Sequence, residues 1–347
     1  DLFLIFFCII IDIFSDYLDR VKPDFVLQHL GAELERRLLR MLCDNRGIPS
    51  IIFDYVPFYK GFQPSKNEYS DLYNIPLRVI PDDMVEDYFD QYLSGEATYF
   101  QVKQSSVSVA DRIRRFAVDP ERFDHFGGFV KGKLKSKYLT YRKNLETNYV
   151  KHLKRQLPKN KRLFLFPLQT NEESTITVRS NGFCDQFQLI KMLSLCLPDD
   201  CALIVKFHPH YLKGIPLREM RDIGKLQDVY LMESSFRMCE ALPMVDAVVT
   251  VNSTVGFEAI MMGKPVMLLG TAIYGGHGLT VDARTPNDWP YLMKELINHR
   301  PQKAVVAGMV KKWLACAFRG LYNDDTIYLV EDLLLFCTRC KEQNKLL

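Results

Sequence analysis

The chain has 347 residues, 48% of them apolar and 25% charged, with a formal net charge of +3. That balance excludes wholesale disorder and a repetitive fibre, and a charge so near zero with no recognised binding motif argues against nucleic acid as a partner. The length favours two domains, each able to bury its own core.

The apolar run Leu2 to Ile11, closed by Asp12, is about half the length needed to span a bilayer, so it predicts a buried strand. Asp1 precedes it with neither a basic leader nor an initiating methionine, so the sequence reads as a fragment starting inside its first domain. From Ile5 to Val56 the predicted order is strand, helix, strand, helix, strand. The pieces are a run ending at Ile13, an amphipathic Phe14 to Val21, a strand in PDFVLQHLG, a helix in GAELERRLLRMLCDNRG stopped by Gly47, and a strand in IPSIIFDYVP. Residues 57 to 100, rich in Tyr, Pro, Asp and Asn, predict long loops and short helices over a cleft. Their aromatics either line an acceptor site or cover the domain's own core, and the second reading is favoured.

Between Lys131 and Arg162 stand twelve lysines and arginines against one acid, Glu146, with Leu139, Leu145, Tyr149, Leu153 and Leu157 near helical spacing. This predicts a basic amphipathic helix. Such a face suits anionic lipid head groups or a phosphate-bearing acceptor, each cation at a membrane surface contributing about 1 kcal/mol; a solvated interdomain helix is the competing reading. Pro158 marks the boundary. A second α/β domain follows, with strands in RLFLFPLQ, CALIVKFHPH and VYLM and a helix around Cys184 to Leu197.

The nine cysteines are scattered, many within apolar runs, and read as reduced thiols of a cytosolic chain. Cys337 and Cys340 have CxxC spacing, but no second pair or nearby histidine completes a zinc site. They read as the end of a helix, and no metal is expected.

Val248 to Asp282 is the most informative stretch. The strand AVVTV runs into Asn252, Ser253, Thr254, Val255 and Gly256 before an expected helix FEAIMM, so hydroxyls and backbone N–H groups converge where a helix dipole favours an anion. An ordinary N-cap explains one Ser or Thr but not the whole NSTVG segment. Glu258, expected in the first helical turn, suits ribose hydroxyls further along a ligand. After Gly263-Lys264-Pro265 and the strand VMLLG comes the glycine-rich YGGHGLT, from which Tyr274 and His277 are expected to reach the ligand. Upstream, Lys206 and His208-Pro209 sit at the carboxyl edge of a predicted parallel strand, where open α/β sheets bind ligands and an imidazole can pair with a phosphate. The loop from Gln169 through Glu172 and Glu173 to Ser174 offers a carboxylate as base or nucleophile at an anomeric carbon.

In that order, FPLQTNEES, KFHPH, VNSTVGFEAIMMGKPVMLLG and YGGHGLT resemble the bacterial capsule polysaccharide biosynthesis family, relatives of the Kdo transferases that build capsule linkers. The resemblance covers roughly residues 162 to 282. It implies a GT-B architecture of two Rossmann-like domains facing a cleft: residues 1–158 an acceptor-side α/β domain with the basic linker helix, 159–320 a nucleotide-sugar-binding α/β domain, and 321–347 a C-terminal helix. It also implies no cofactor, only a CMP-sugar donor, with His208, Ser253 and Thr254 on the phosphate, Glu258 on the ribose and Glu172 or Glu173 facing the sugar. Gln169, Lys206, Pro209, Asn252, Gly256, Tyr274 and His277 complete the expected site. Two positions depart from the family pattern: Glu173 stands where an aspartate is expected, and His277 where tryptophan is frequent. The implied activity moves a Kdo-like sugar to a lipid-linked or glycan acceptor at the cytoplasmic membrane face. Alternatives are a CMP-sialic acid, CDP-glycerol or UDP-sugar donor, or a non-catalytic polysaccharide-binding capsule assembly component.

Overall fold

The computed structural model describes residues 2–29, 33–56, 61–93, 137, 140–141, 157–171, 173–208, 217–234, 236–320 and 326–342. In chain order the elements are α1 Leu2–Val21, β1 Val26–His29, α2 Leu34–Asp44, β2 Ser50–Tyr55, β3 Gly61–Ser65, α3 Asp82–Leu93, β4 Arg162–Pro167, α4 Ser174–Thr177, α5 Gln186–Cys196, β5 Cys201–Lys206, α6 Leu217–Ile223, β6 Val229–Met232, α7 Met238–Met244, β7 Ala247–Thr250, α8 Thr254–Met261, β8 Val266–Leu268, β9 Val281–Asp282, α9 Trp289–Leu296, α10 Lys303–Cys316, β10 Phe318–Arg319 and α11 Thr326–Glu342. This is a mixed α/β chain rich in parallel strand pairs, as the sequence predicts. It divides into two compact units, one made of Asp1–Ala97, Asn171–Asp185 and Asp246–Leu347, the other of Thr98–Thr170 and Gln186–Val245.

The first unit contains a sheet in the order β1-β2-β3-β10. β1 and β2 are parallel, Val26 opposite Ser50, with α2 between them in the chain. β3 returns antiparallel to β2, Tyr55 opposite Phe62, and β10 pairs with β3 through Phe318 and Phe62. Ile51, Phe53, Phe62 and Phe318 of the sheet cluster with Tyr73 against Phe336, Leu329 and Cys340 of α11, so the C-terminal helix closes the N-terminal core. Tyr73 is therefore core, in keeping with the favoured reading of the aromatic segment. A carboxylate ties these distant pieces: Asp332, buried on α11, accepts from the Arg319 backbone N–H at 2.7 Å and guanidinium at 2.9 Å, and pairs with Arg78. Burial alone would raise the Asp332 pKa, but the bonds from Arg319 and Arg78 outweigh it and hold it below the usual carboxylate range.

The same unit contains the parallel strands β7, β8 and β9, with Val248 opposite Val266 and Leu268 opposite Asp282. The second unit contains β4, β5 and β6, also parallel, with Arg162 opposite Cys201 and Leu203 opposite Val229. Every residue of β5 is buried, as a continuous apolar run in a parallel sheet requires.

Two expectations are corrected. Leu2 to Ile13 is not a strand: it forms one helix with Phe14 to Val21 that packs against α2, with Leu18 buried and Asp19 paired with Arg46 just beyond α2. Its Leu4, Ile5, Phe6, Ile9 and Ile13 are exposed. An unbroken apolar run carries no periodicity, so it cannot distinguish strand from helix. The loop region after Val56 also contains an unpredicted strand, β3. Pro64 argues against one, yet it sits opposite Phe53 and joins its other neighbour through its carbonyl, which accepts from Tyr73 N–H at 2.9 Å and needs no donor from the proline.

The nine cysteines are thiols outside any disulfide, and Cys337 and Cys340 lie within α11. Among the described residues no helix is long and apolar enough to cross a membrane. The basic helix expected between residues 131 and 162 lies almost wholly outside the described residues; Lys137, Thr140 and Tyr141 are helical.

Candidate functional site

In the first unit the site is a strand, a turn and a helix start. The buried strand β7 ends at Thr250, whose Oγ1 accepts from the Ser253 backbone N–H at 3.0 Å. Ser253 (φ −64°, ψ 148°) is the N-cap of α8: its Oγ accepts from Val255 N–H at 3.3 Å, and its carbonyl accepts from Gly256 N–H at 2.9 Å. The helix thus begins three residues before the predicted FEAIMM, and Glu258 sits one turn in rather than in the first turn. Of its eight residues, only Thr254 and Glu258 are not buried. Spaced i, i+4, they share the outward face of the helix start. Two of the helix's first N–H groups are satisfied within the turn, and its positive end suits an anion.

Tyr274 lies beneath this turn. It is 2% exposed, and its hydroxyl donates to the Ser253 carbonyl at 2.5 Å. A Cβ at Gly256 would lie 2.9 Å from Tyr274 Cζ and 3.1 Å from Thr250 Cγ2, which accounts for the glycine of NSTVG. Burial, followed by the negative charges of Asp282 and Glu258, pushes the Tyr274 pKa far above the tyrosine range, so the hydroxyl stays a donor. Tyr274, expected from the sequence to reach the ligand, is buried beneath the turn and braces it. His277 is exposed, its Nε2 3.2 Å from the Ile273 carbonyl and its ring edge-on to Trp313. Gly276 and Gly278 take positive φ, +74° and +72°, which the loop requires. Asp282, unremarked in the sequence, accepts from Thr280 Oγ1 at 2.5 Å at the end of β9.

The loop bearing Glu173 is stitched to the same turn. Buried Asn252 donates through Nδ2 to the Thr175 carbonyl at 2.6 Å, and Thr271 donates its N–H to the Arg179 carbonyl at 2.8 Å. Glu173 is exposed, with Thr175 Oγ1 3.5 Å from its carboxylate. Glu172 lies outside the described residues. Sequence reasoning missed Arg179: its guanidinium donates to the Asp54 carboxylate at 2.6 Å and the Glu68 carbonyl at 2.7 Å, anchoring the acid-bearing loop to β2. The available signal was Asp54, a charge inside the apolar strand SIIFDY.

In the second unit, the ends of β4 and β5 bring together Gln169, Lys206 and His208. Leu168 N–H donates to the Lys206 carbonyl at 2.9 Å. Gln186 clamps Gln169 reciprocally, accepting its N–H and donating to its carbonyl, each at 2.8 Å. Lys206 is buried with Nζ 3.4 Å from the Phe207 carbonyl, and His208 is half-buried. Pro209 lies outside the described residues. No group of three His, Cys, Asp or Glu able to hold a metal occurs among the described residues.

Residues 121–318 match the family model described as capsule polysaccharide biosynthesis protein. The capsule polysaccharide export protein KpsS of Escherichia coli is 29% identical over 137 residues, 38% of this chain and 35% of that protein. The capsule polysaccharide modification protein LipA of Neisseria meningitidis serogroup B is 30% identical over 96 residues, 28% of this chain and 14% of LipA. The matches thus span about a third of the first relative's length and a seventh of the second's. Among solved structures, the Thermosulfurimonas dismutans KpsC β-Kdo 2,7 transferase is similar with a TM-score of 0.47 and 15% identity, covering 86% of this chain and 79% of that one. With its family model matched over more than half its length, the chain belongs to the capsule polysaccharide biosynthesis family.

Proposed function

We propose that this chain is a glycosyltransferase that moves a Kdo-like sugar from a CMP-activated donor to a lipid-linked or glycan acceptor. The supporting observation is the turn at Asn252 to Gly256, where a capped helix start, an exposed Thr254 and an outward Glu258 share one face and Asn252 holds the Glu173 loop alongside. In this reading the CMP phosphate meets the start of α8 with Ser253 and Thr254, and Glu258 accepts bonds from ribose hydroxyls. The acceptor hydroxyl attacks the anomeric carbon while Glu173 takes its proton. The bond from that carbon to the phosphate oxygen breaks, and its electron pair leaves with CMP. The reaction belongs at the cytoplasmic membrane face, where the basic segment 131–162 would meet anionic head groups.

Calorimetry with CMP, with and without magnesium, tests the reading, and CDP and UDP as competitors test the donor. CMP is expected to bind more tightly than either; a chain that binds none of the three sinks the proposal. The name of the Escherichia coli relative, an export protein, favours a second, non-catalytic reading. Glu173→Gln separates the two: transfer is abolished in the first, and capsule assembly is unchanged in the second.

A further inference from the structure

We infer that Tyr274 is a positioning residue that aims the Thr254 backbone N–H at a phosphate, through the Ser253 carbonyl. The inference rests on the proposed nucleotide site and goes beyond it by assigning which buried group orients the donor. The argument is geometric. The Ser253 carbonyl and the Thr254 N–H belong to one planar trans peptide, in which C=O and N–H point in opposite directions. The hydroxyl of Tyr274, a residue only 2% exposed, lies 2.5 Å from that oxygen and pulls the carbonyl toward the interior. The N–H of the same peptide then points the opposite way, off the N-terminal end of α8 beside the exposed Thr254. An N-cap carbonyl already accepts one bond from the first turn, here Gly256 N–H at 2.9 Å, and alone can still rock about that bond. A second donor fixed in the core removes that freedom.

Gly256 is the other half of the device. The Cβ of any other residue would meet the Tyr274 hydroxyl, with ring Cζ at 2.9 Å, so the turn rests on the ring only because position 256 has no side chain. Tyr274 and Gly256 should therefore fail as a pair: Tyr274→Phe deletes the donor and Gly256→Ala displaces it. Both changes break the same contact.

The test is CMP affinity by calorimetry for the wild-type chain, Tyr274→Phe, Gly256→Ala and the double variant, with thermal midpoints beside each. Tyr274→Phe is expected to weaken CMP about tenfold, about 1.4 kcal/mol, with a midpoint within about 3 °C of wild type. The double variant is expected to lose little more than either single one, since coupled positions are non-additive. Unchanged affinity in Tyr274→Phe, or losses that simply add, overturns the inference. So does an affinity loss that merely follows a fall in midpoint, because that makes Tyr274 a residue of the fold alone. If wild type does not bind CMP, the proposed function fails and the positioning role is read from hydrogen exchange at Val255 and Gly256. Faster exchange there in Tyr274→Phe sustains the brace, and unchanged exchange refutes it.

Discussion

Arg179→Leu removes a cation from a buried pair while leaving its anion in place. The two side chains are only 13% and 9% exposed, and Nη2 lies 2.6 Å from Asp54 Oδ2. Without the guanidinium, Asp54 keeps the Ser70 hydroxyl at 2.9 Å, and the Glu68 carbonyl loses its 2.7 Å donor. Stranding one partner of a buried pair costs about 3–5 kcal/mol, a large share of the roughly 5–15 kcal/mol that holds a typical protein folded. An exposed pair would cost no more than about 1 kcal/mol. Urea unfolding of wild type, Arg179→Leu, Asp54→Asn and the double variant measures the difference. The double variant is expected to recover most of the loss, because it removes the uncompensated charge along with its partner. A single-variant loss below about 1 kcal/mol, or a double-variant loss equal to the sum of the singles, refutes the description of this pair as a buried anchor. The Thr271 bond to the Arg179 carbonyl is to the backbone and survives the substitution, so CMP binding should persist wherever the variant is folded.

Two further outcomes follow from the geometry. A Cβ at Gly270 would lie 2.6 Å from the Arg179 carbonyl and 2.8 Å from that of Val251, both backbone atoms, so Gly270→Ala should destabilise by about 1–3 kcal/mol in the same unfolding assay. Tyr73 is pushed up to about 12, first by burial and then by Cys340, Asp71 and Asp44. A raised tyrosine pKa stabilises the fold below the unfolded value near 10 and loses that stability as pH climbs from there to about 12. Wild type should lose roughly 3 kcal/mol more than Tyr73→Phe across that window. Alkaline titrations followed by circular dichroism that superimpose for the two proteins would dismiss the effect.

The strands of the second unit, and the presence of a strand, a turn and a helix in that order between Ala247 and Met261, are legible in the sequence because their causes are local. Continuous β-branched and aliphatic runs bounded by Pro, Gly, Asn and Ser specify buried parallel strands, and Ser before a helical pattern specifies a cap. Where the helix begins within NSTVG was not legible, because Gly256 disfavours a helix by propensity and is retained for the ring beneath it. Tertiary structure decided what partners alone can settle. The run Leu2 to Ile13 became helix because its own pattern suits either state and α2 offers it a packing surface. The short strand β10 exists through its pairing with β3 across more than half the chain, while β3 is also held by its neighbour β2. The contacts that make a site from a motif join residues 21, 77 and 125 positions apart: Tyr274 to Ser253, Asn252 to Thr175, and Arg179 to Asp54. Each satisfies a polar group that folding buries, and a one-dimensional pattern records which residue is polar but not which distant group will meet it.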